Sequence, residues 1–93
     1  MPAFINTESE PALNSMLEAF CYFEEDDQLR RESVSEWADL LRAVVKLGRI
    51  PTSHEIYDWK LGRGDIGFWP RRERETWLCR ARLVISRFIV VTK

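Results

Sequence analysis

From Gly48 to Asp65 the chain reads GRIPTSHEIYDWKLGRGD, and the punctuation of this stretch limits the fold more than any other feature. Gly48 follows an apolar helical run and suits the left-handed position just past a helix end. Pro51 cannot continue that helix. Thr52 and Glu55 form a T-x-x-E capping box, in which each side chain answers the other residue's backbone N–H and a new helix begins. Gly62 and Gly64 stop it, and Asp65 can cap the next segment. A helix, a sharp turn, a short helix, a glycine turn and a further capped segment make the outline of a helix-turn-helix.

The flanks are read by periodicity. Ser9 or Glu10 can cap a first helix, with Pro11 in its first turn. Leu13, Met16, Leu17, Phe20 and Phe23 then recur at helical spacing, with Cys21 and Tyr22 at the edge of the stripe. The acids Glu24 to Asp27 oppose the dipole of a helix ending there, so fraying or a break is expected near residues 27–32. Ser33 and Glu36 read as a second capping box, followed by the apolar face Trp37, Leu40, Leu41, Val44 and Val45. The short helix after Thr52 runs from Ser53 to about Lys60, with Ile56 and Trp59 toward the core and Ile50 over its start. Gly67 and Pro70 disfavour a helix through residues 66–70, and Pro70 suits the first turn of the next one. That helix is expected from Arg71 to about Val91. Its tail, LVISRFIVV, is rich enough in β-branched residues to form a strand, but no partner strand is evident in the sequence.

The expected fold is all-α, a compact bundle of about four helices. It holds a helix-turn-helix-like unit around residues 34–65 and a long apolar C-terminal helix. Residues 1–93 form one domain, with 1–9 a flexible arm. Trp77, Ala81, Val84, Phe88 and Val91 fall at 4-3-4-3 spacing on the last helix and are the expected dimer interface, making the protein a homodimer. Small domains often complete their burial against a second subunit.

The residues Gly48, Arg49, Pro51 and Thr52, followed by Leu61, Gly62, Arg63 and Gly64, give the pattern G-R-x-P-T, eight residues, L-G-R-G. This pattern resembles the N-terminal DNA-binding domain of KfrA-type plasmid proteins over about a fifth of the chain. The resemblance implies a helix-turn-helix that binds DNA.

Charge argues differently. The net charge is −1, which gives no bulk attraction to nucleic acid or to acidic membranes. Residues 1–28 carry seven acids and no Lys or Arg, whereas residues 61–93 carry eight basic residues and three acids. The two ends can attract each other, within one chain or between two. The Arg-rich start of the last helix, Arg71, Arg72 and Arg74, suits phosphate or guanine contacts but is diluted by Glu73 and Glu75.

No catalytic or metal pattern stands out. His54 is the single histidine, and Cys21 and Cys79 lie far apart without ligand spacing. No cofactor, metal site or enzymatic activity is expected. The widely spaced cysteines and the lack of a signal peptide or membrane-length apolar run suggest a cytoplasmic protein with reduced thiols. The aromatic pair Phe68–Trp69, held between Gly67 and Pro70, reads as a rigid protrusion beside arginines, the residue types enriched at interface hot spots. Phe68, Trp69, Arg71, Arg72 and Arg74 are therefore the expected partner-binding residues. The reading is of a small non-enzymatic regulatory protein that binds another protein, a transcription factor being the favoured class. The alternative is a helix-turn-helix DNA-binding transcriptional regulator.

Overall fold

The structure is a computed structural model that describes residues 3–5, 10–21, 26–64 and 68–91. Among these residues the order of elements is β1 (Ala3–Ile5), α1 (Glu10–Phe20), α2 (Asp27–Leu47), α3 (Ser53–Arg63), α4 (Arg71–Phe88) and β2 (Ile89–Val91). Four helices dominate, as expected, and a two-stranded sheet joins the ends of the chain. No helix among the described residues is long and apolar enough to cross a membrane.

The central element is α2. It packs against α1, α4 and both strands, while α3 packs on α4. Its buried residues Val34, Trp37, Ala38, Leu41 and Val44 recur at the three- and four-residue steps of one helical face. Leu13, Leu17 and Cys21 answer from α1 and its end, and Trp77, Ala81, Val84, Ile85 and Phe88 from α4. Ile56 is the one buried side chain of α3.

The start of α2 corrects the expectation. The helix does not begin at a Ser33–Glu36 box, and residues 27–32 are not a break. Asp26 caps it, its carboxylate accepting the Gln28 N–H at 2.8 Å and its carbonyl accepting the Arg30 N–H at 2.9 Å. Acids that oppose the dipole at a helix C-terminus favour it at an N-terminus. Tyr22 and Phe23, expected on or beside the first apolar stripe, and Asp65, expected as a cap, lie outside the described residues.

The turn after α2 forms as its residues dictate. Gly48 has φ 83° and donates its N–H to the Val44 carbonyl at 3.0 Å. The capping box is complete: Thr52 Oγ1 accepts the Glu55 N–H at 3.2 Å, and Glu55 Oε1 accepts the Thr52 N–H at 2.9 Å. At the far end Gly64, with φ 129°, closes α3 through its N–H to the Leu61 carbonyl at 3.2 Å.

The tail is the second correction. The last helix stops at Phe88, and Ile89 has extended dihedrals, φ −102° and ψ 129°. Ile89, Val90 and Val91 pair antiparallel with Ile5, Phe4 and Ala3 respectively. β-Branched residues gain from a pleated, half-buried setting, and the missing partner strand is the segment read as a flexible arm. Ala3 and Ile89 are buried on the inner face of this ribbon.

The expected dimer stripe is also corrected. Trp77, Ala81, Val84 and Phe88 are buried within the single chain, in one cluster with the apolar face of α2, so that face of α4 is core. Val91 lies on β2 rather than on the helix.

Candidate partner-binding site

The site is built where α2, α3 and α4 meet beneath the α3–α4 connection. Trp77 of α4 stacks on Trp37 of α2, with ring centroids 5.5 Å apart and planes 17° from parallel. The Trp77 indole N–H donates to Glu36 Oε1 at 3.0 Å. The other carboxylate oxygen of Glu36 accepts from the Lys60 ammonium near the end of α3. That ammonium lies 5.3 Å from the Trp77 ring centroid and 5.4 Å from that of Trp69. Attraction of a cation to an aromatic face strengthens as water is excluded, and Lys60 is mostly covered. One lysine thus joins an acid on α2, an indole on α4 and an indole on the connection.

This cluster holds Trp69. Trp69 packs half-buried against the core, and Pro70, at φ −57°, opens α4 by accepting the Arg74 N–H on its carbonyl at 3.2 Å. Phe68 is left outside at 87% exposure, the most exposed of the large hydrophobic side chains described. Trp69, Lys60, Arg72, Thr76, Arg80 and Cys21 are among the residues lining a cleft of about 490 Å³.

The five residues expected to bind a partner are therefore only partly brought together. Trp69 and Arg72 share the cleft, and Phe68 precedes Trp69 with its side chain in water. Arg71 is exposed and pairs with Glu75 one turn on, at 3.0 Å. Arg74 turns toward α3 instead, donating to the Tyr57 hydroxyl at 3.2 Å. Glu36, Trp37 and Lys60 were not among the expected site residues. Glu36 falls four residues before Leu40 and eight before Val44, so an acid on an apolar stripe was the signal.

Most of the other charges near the turn are spent on each other. Arg49 clamps Glu55 with two bonds, at 2.8 and 2.7 Å. The Arg49 side chain, and then the Thr52 backbone, hold the Glu55 carboxyl at a pKa of about 2, far below its ordinary range. Arg63 pairs with Asp39 at 3.1 Å and lies 4.8 Å from the Trp59 ring centroid. His54 is exposed and sits 3.2 Å from Asp58 on its own helix. Among the described residues no group of three His, Cys, Asp or Glu side chains is placed to hold a metal ion.

Compared with protein-family models, with curated proteins and with solved structures, the chain matches none.

Proposed function

We propose that this chain is a small non-enzymatic regulatory protein that acts by binding another protein through the α3–α4 connection. The observation that carries the reading is Phe68, an aromatic side chain 87% exposed next to Trp69, which packs against the core. A large apolar side chain left in water is costly, and covering it gives about 1.5–3 kcal/mol. The anchoring of the neighbouring Trp69 adds to this, because it reduces the conformational freedom lost when the partner arrives. Arg72, beside Trp69 in the cleft, supplies a polar contact at the rim of the aromatic anchor. The resemblance of the Gly48–Gly64 stretch to a DNA-binding module makes a transcription factor the favoured partner class.

The test is a pull-down from the native host, with and without nuclease, using wild-type protein and Phe68→Ala. A protein retained after nuclease and lost with Phe68→Ala supports the reading. Phe68 is too exposed for its removal to unfold the chain. A partner held equally by both forms would remove Phe68 from the interface.

The second reading is a DNA-binding regulator of the helix-turn-helix kind. It is favoured by the succession α3, Gly64 turn and α4, with Arg71 and Arg72 exposed at the start of α4. It is weakened by the acids beside these arginines and by the pairing of Arg49 and Arg63 within the fold. Labelled DNA titrated at low salt separates the two, since phosphate attraction is strongest there. Tight sequence-specific binding that persists in Phe68→Ala favours the second reading.

A further inference from the structure

A second surface lies on a different face of α4. Ile50, Pro51 and Thr52 of the α2–α3 turn, with Cys79, Arg82 and Leu83 of α4, line most of a groove of about 750 Å³. Its walls are largely apolar and stand in water: Ile50 is 51% exposed and Leu83 58%. Ile50, expected to pack over the start of α3, opens onto this groove instead.

We infer that the groove docks a short amphipathic helix of another protein, carrying aliphatic side chains next to a carboxylate. The charge of the groove selects this occupant. Arg82 is its charged side chain, and it takes no part in the ion pairs and hydrogen bonds formed among the described residues. Arg49, Arg63 and Arg71, by contrast, each face an acid. The first turn of α3 also borders the groove through Thr52 and Ser53, adding the partial positive charge of a helix N-terminus. Glu55 in that turn is held by Arg49, so it does not compensate Arg82. Apolar walls with a positive edge match aliphatic residues at helical spacing flanked by Asp or Glu. A second copy of this chain fits poorly, because a two-fold contact centred on this groove brings together two like positive edges, each with Arg82 and a helix N-terminus. Phe68 and the Trp69 cleft are not part of this surface.

The experiment selects binders from a random peptide library displayed against the purified full chain. Recovered peptides are expected to carry Leu, Ile or Val at helical spacing with an adjacent acid. Leu83→Ser, a change at an exposed position, should weaken a recovered peptide about tenfold or more. Arg82→Ala should weaken it roughly two- to fivefold, and Arg82→Glu should shift selection toward Lys- and Arg-bearing peptides. Phe68→Ala should leave binding unchanged. Bound peptide should also slow modification of Cys79, the exposed thiol on the groove wall, while buried Cys21 stays unreactive. The inference is overturned if no recovered peptide depends on Leu83, or if bound peptide leaves the Cys79 rate unaltered. A wild-type dimer that Leu83→Ser dissolves into monomers overturns it too, by giving the groove to a second copy.

Discussion

Trp77 and Glu36 are 41 residues apart in sequence, and a single hydrogen bond of 3.0 Å from indole to carboxylate joins them. The same carboxylate receives Lys60, so one acid on α2 aligns both later helices. Removing it strands two part-buried donors. Glu36→Ala is expected to lower stability by about 1–3 kcal/mol, the cost of leaving such groups unsatisfied. Glu36→Gln keeps an acceptor for Trp77 and should cost less. Urea unfolding followed by Trp fluorescence measures both, and equal midpoints for wild type and Glu36→Ala would show that the cluster is incidental.

The Arg49–Glu55 clamp sets an acid limit. The Glu55 carboxyl titrates at about 2, against an ordinary 4.5, chiefly because Arg49 donates to it and then because the Thr52 N–H does. A value depressed by folding means that the charged form is favoured in the native state. The resulting stability is fully present above about pH 4.5 and is lost as pH falls toward 2. A carboxyl NMR titration should give Glu55 the low midpoint, and Arg49→Ala should move it up toward the ordinary range. A Glu55 midpoint already near 4.5 in the wild type would mean that the clamp does not persist in solution.

The parts of the fold that were legible in the sequence are those written in backbone chemistry. Gly48, Thr52, Glu55 and Gly64 each do locally what their residue types allow, so the turn and the start of α3 could be read directly. Gly62, expected as a stop, stays helical, and α3 runs on from the expected Lys60 to Arg63 before Gly64 closes it. Ser33 and Glu36 carried the same capping pattern without the function. A capping box depends on where the chain is already non-helical, and Asp26 had started α2 earlier. The strand Ile89–Val91 was visible in its β-branched residues, but its partner lies at the opposite end of the chain, where three residues carry no periodicity. The site was legible in Trp69 and Arg72 and not in Lys60. A lysine near the end of a short polar helix looks solvated until tertiary contacts place two indoles around it.

The β1–β2 ribbon is expected to contribute measurably to stability despite its length. Deleting residues 1–5 uncovers Ile89, now 7% exposed, and removes buried Ala3. Exposing one isoleucine costs about 1.5–3 kcal/mol. The urea midpoint should fall accordingly, and amide exchange at residues 89–91 should rise sharply. An unchanged midpoint would restore the view of the N-terminus as a free arm.

Gly62 separates local structure from recognition. Gly48 and Gly64 have positive φ, but Gly62 does not, and a Cβ built on it meets nothing within 4 Å. Nothing in the fold requires glycine there. Alanine at an unstrained helical position restricts the unfolded chain, so Gly62→Ala should raise stability by about 0.4–1 kcal/mol. If the bare backbone at Gly62 lets a macromolecule approach closely, the same substitution should weaken binding while the protein becomes more stable. Thermal unfolding and a binding titration on the same sample distinguish these outcomes. Greater stability with unchanged affinity for the partner captured through Phe68 would place Gly62 outside that contact. Loss of DNA affinity alone would instead favour the reading in which α3 and α4 meet nucleic acid.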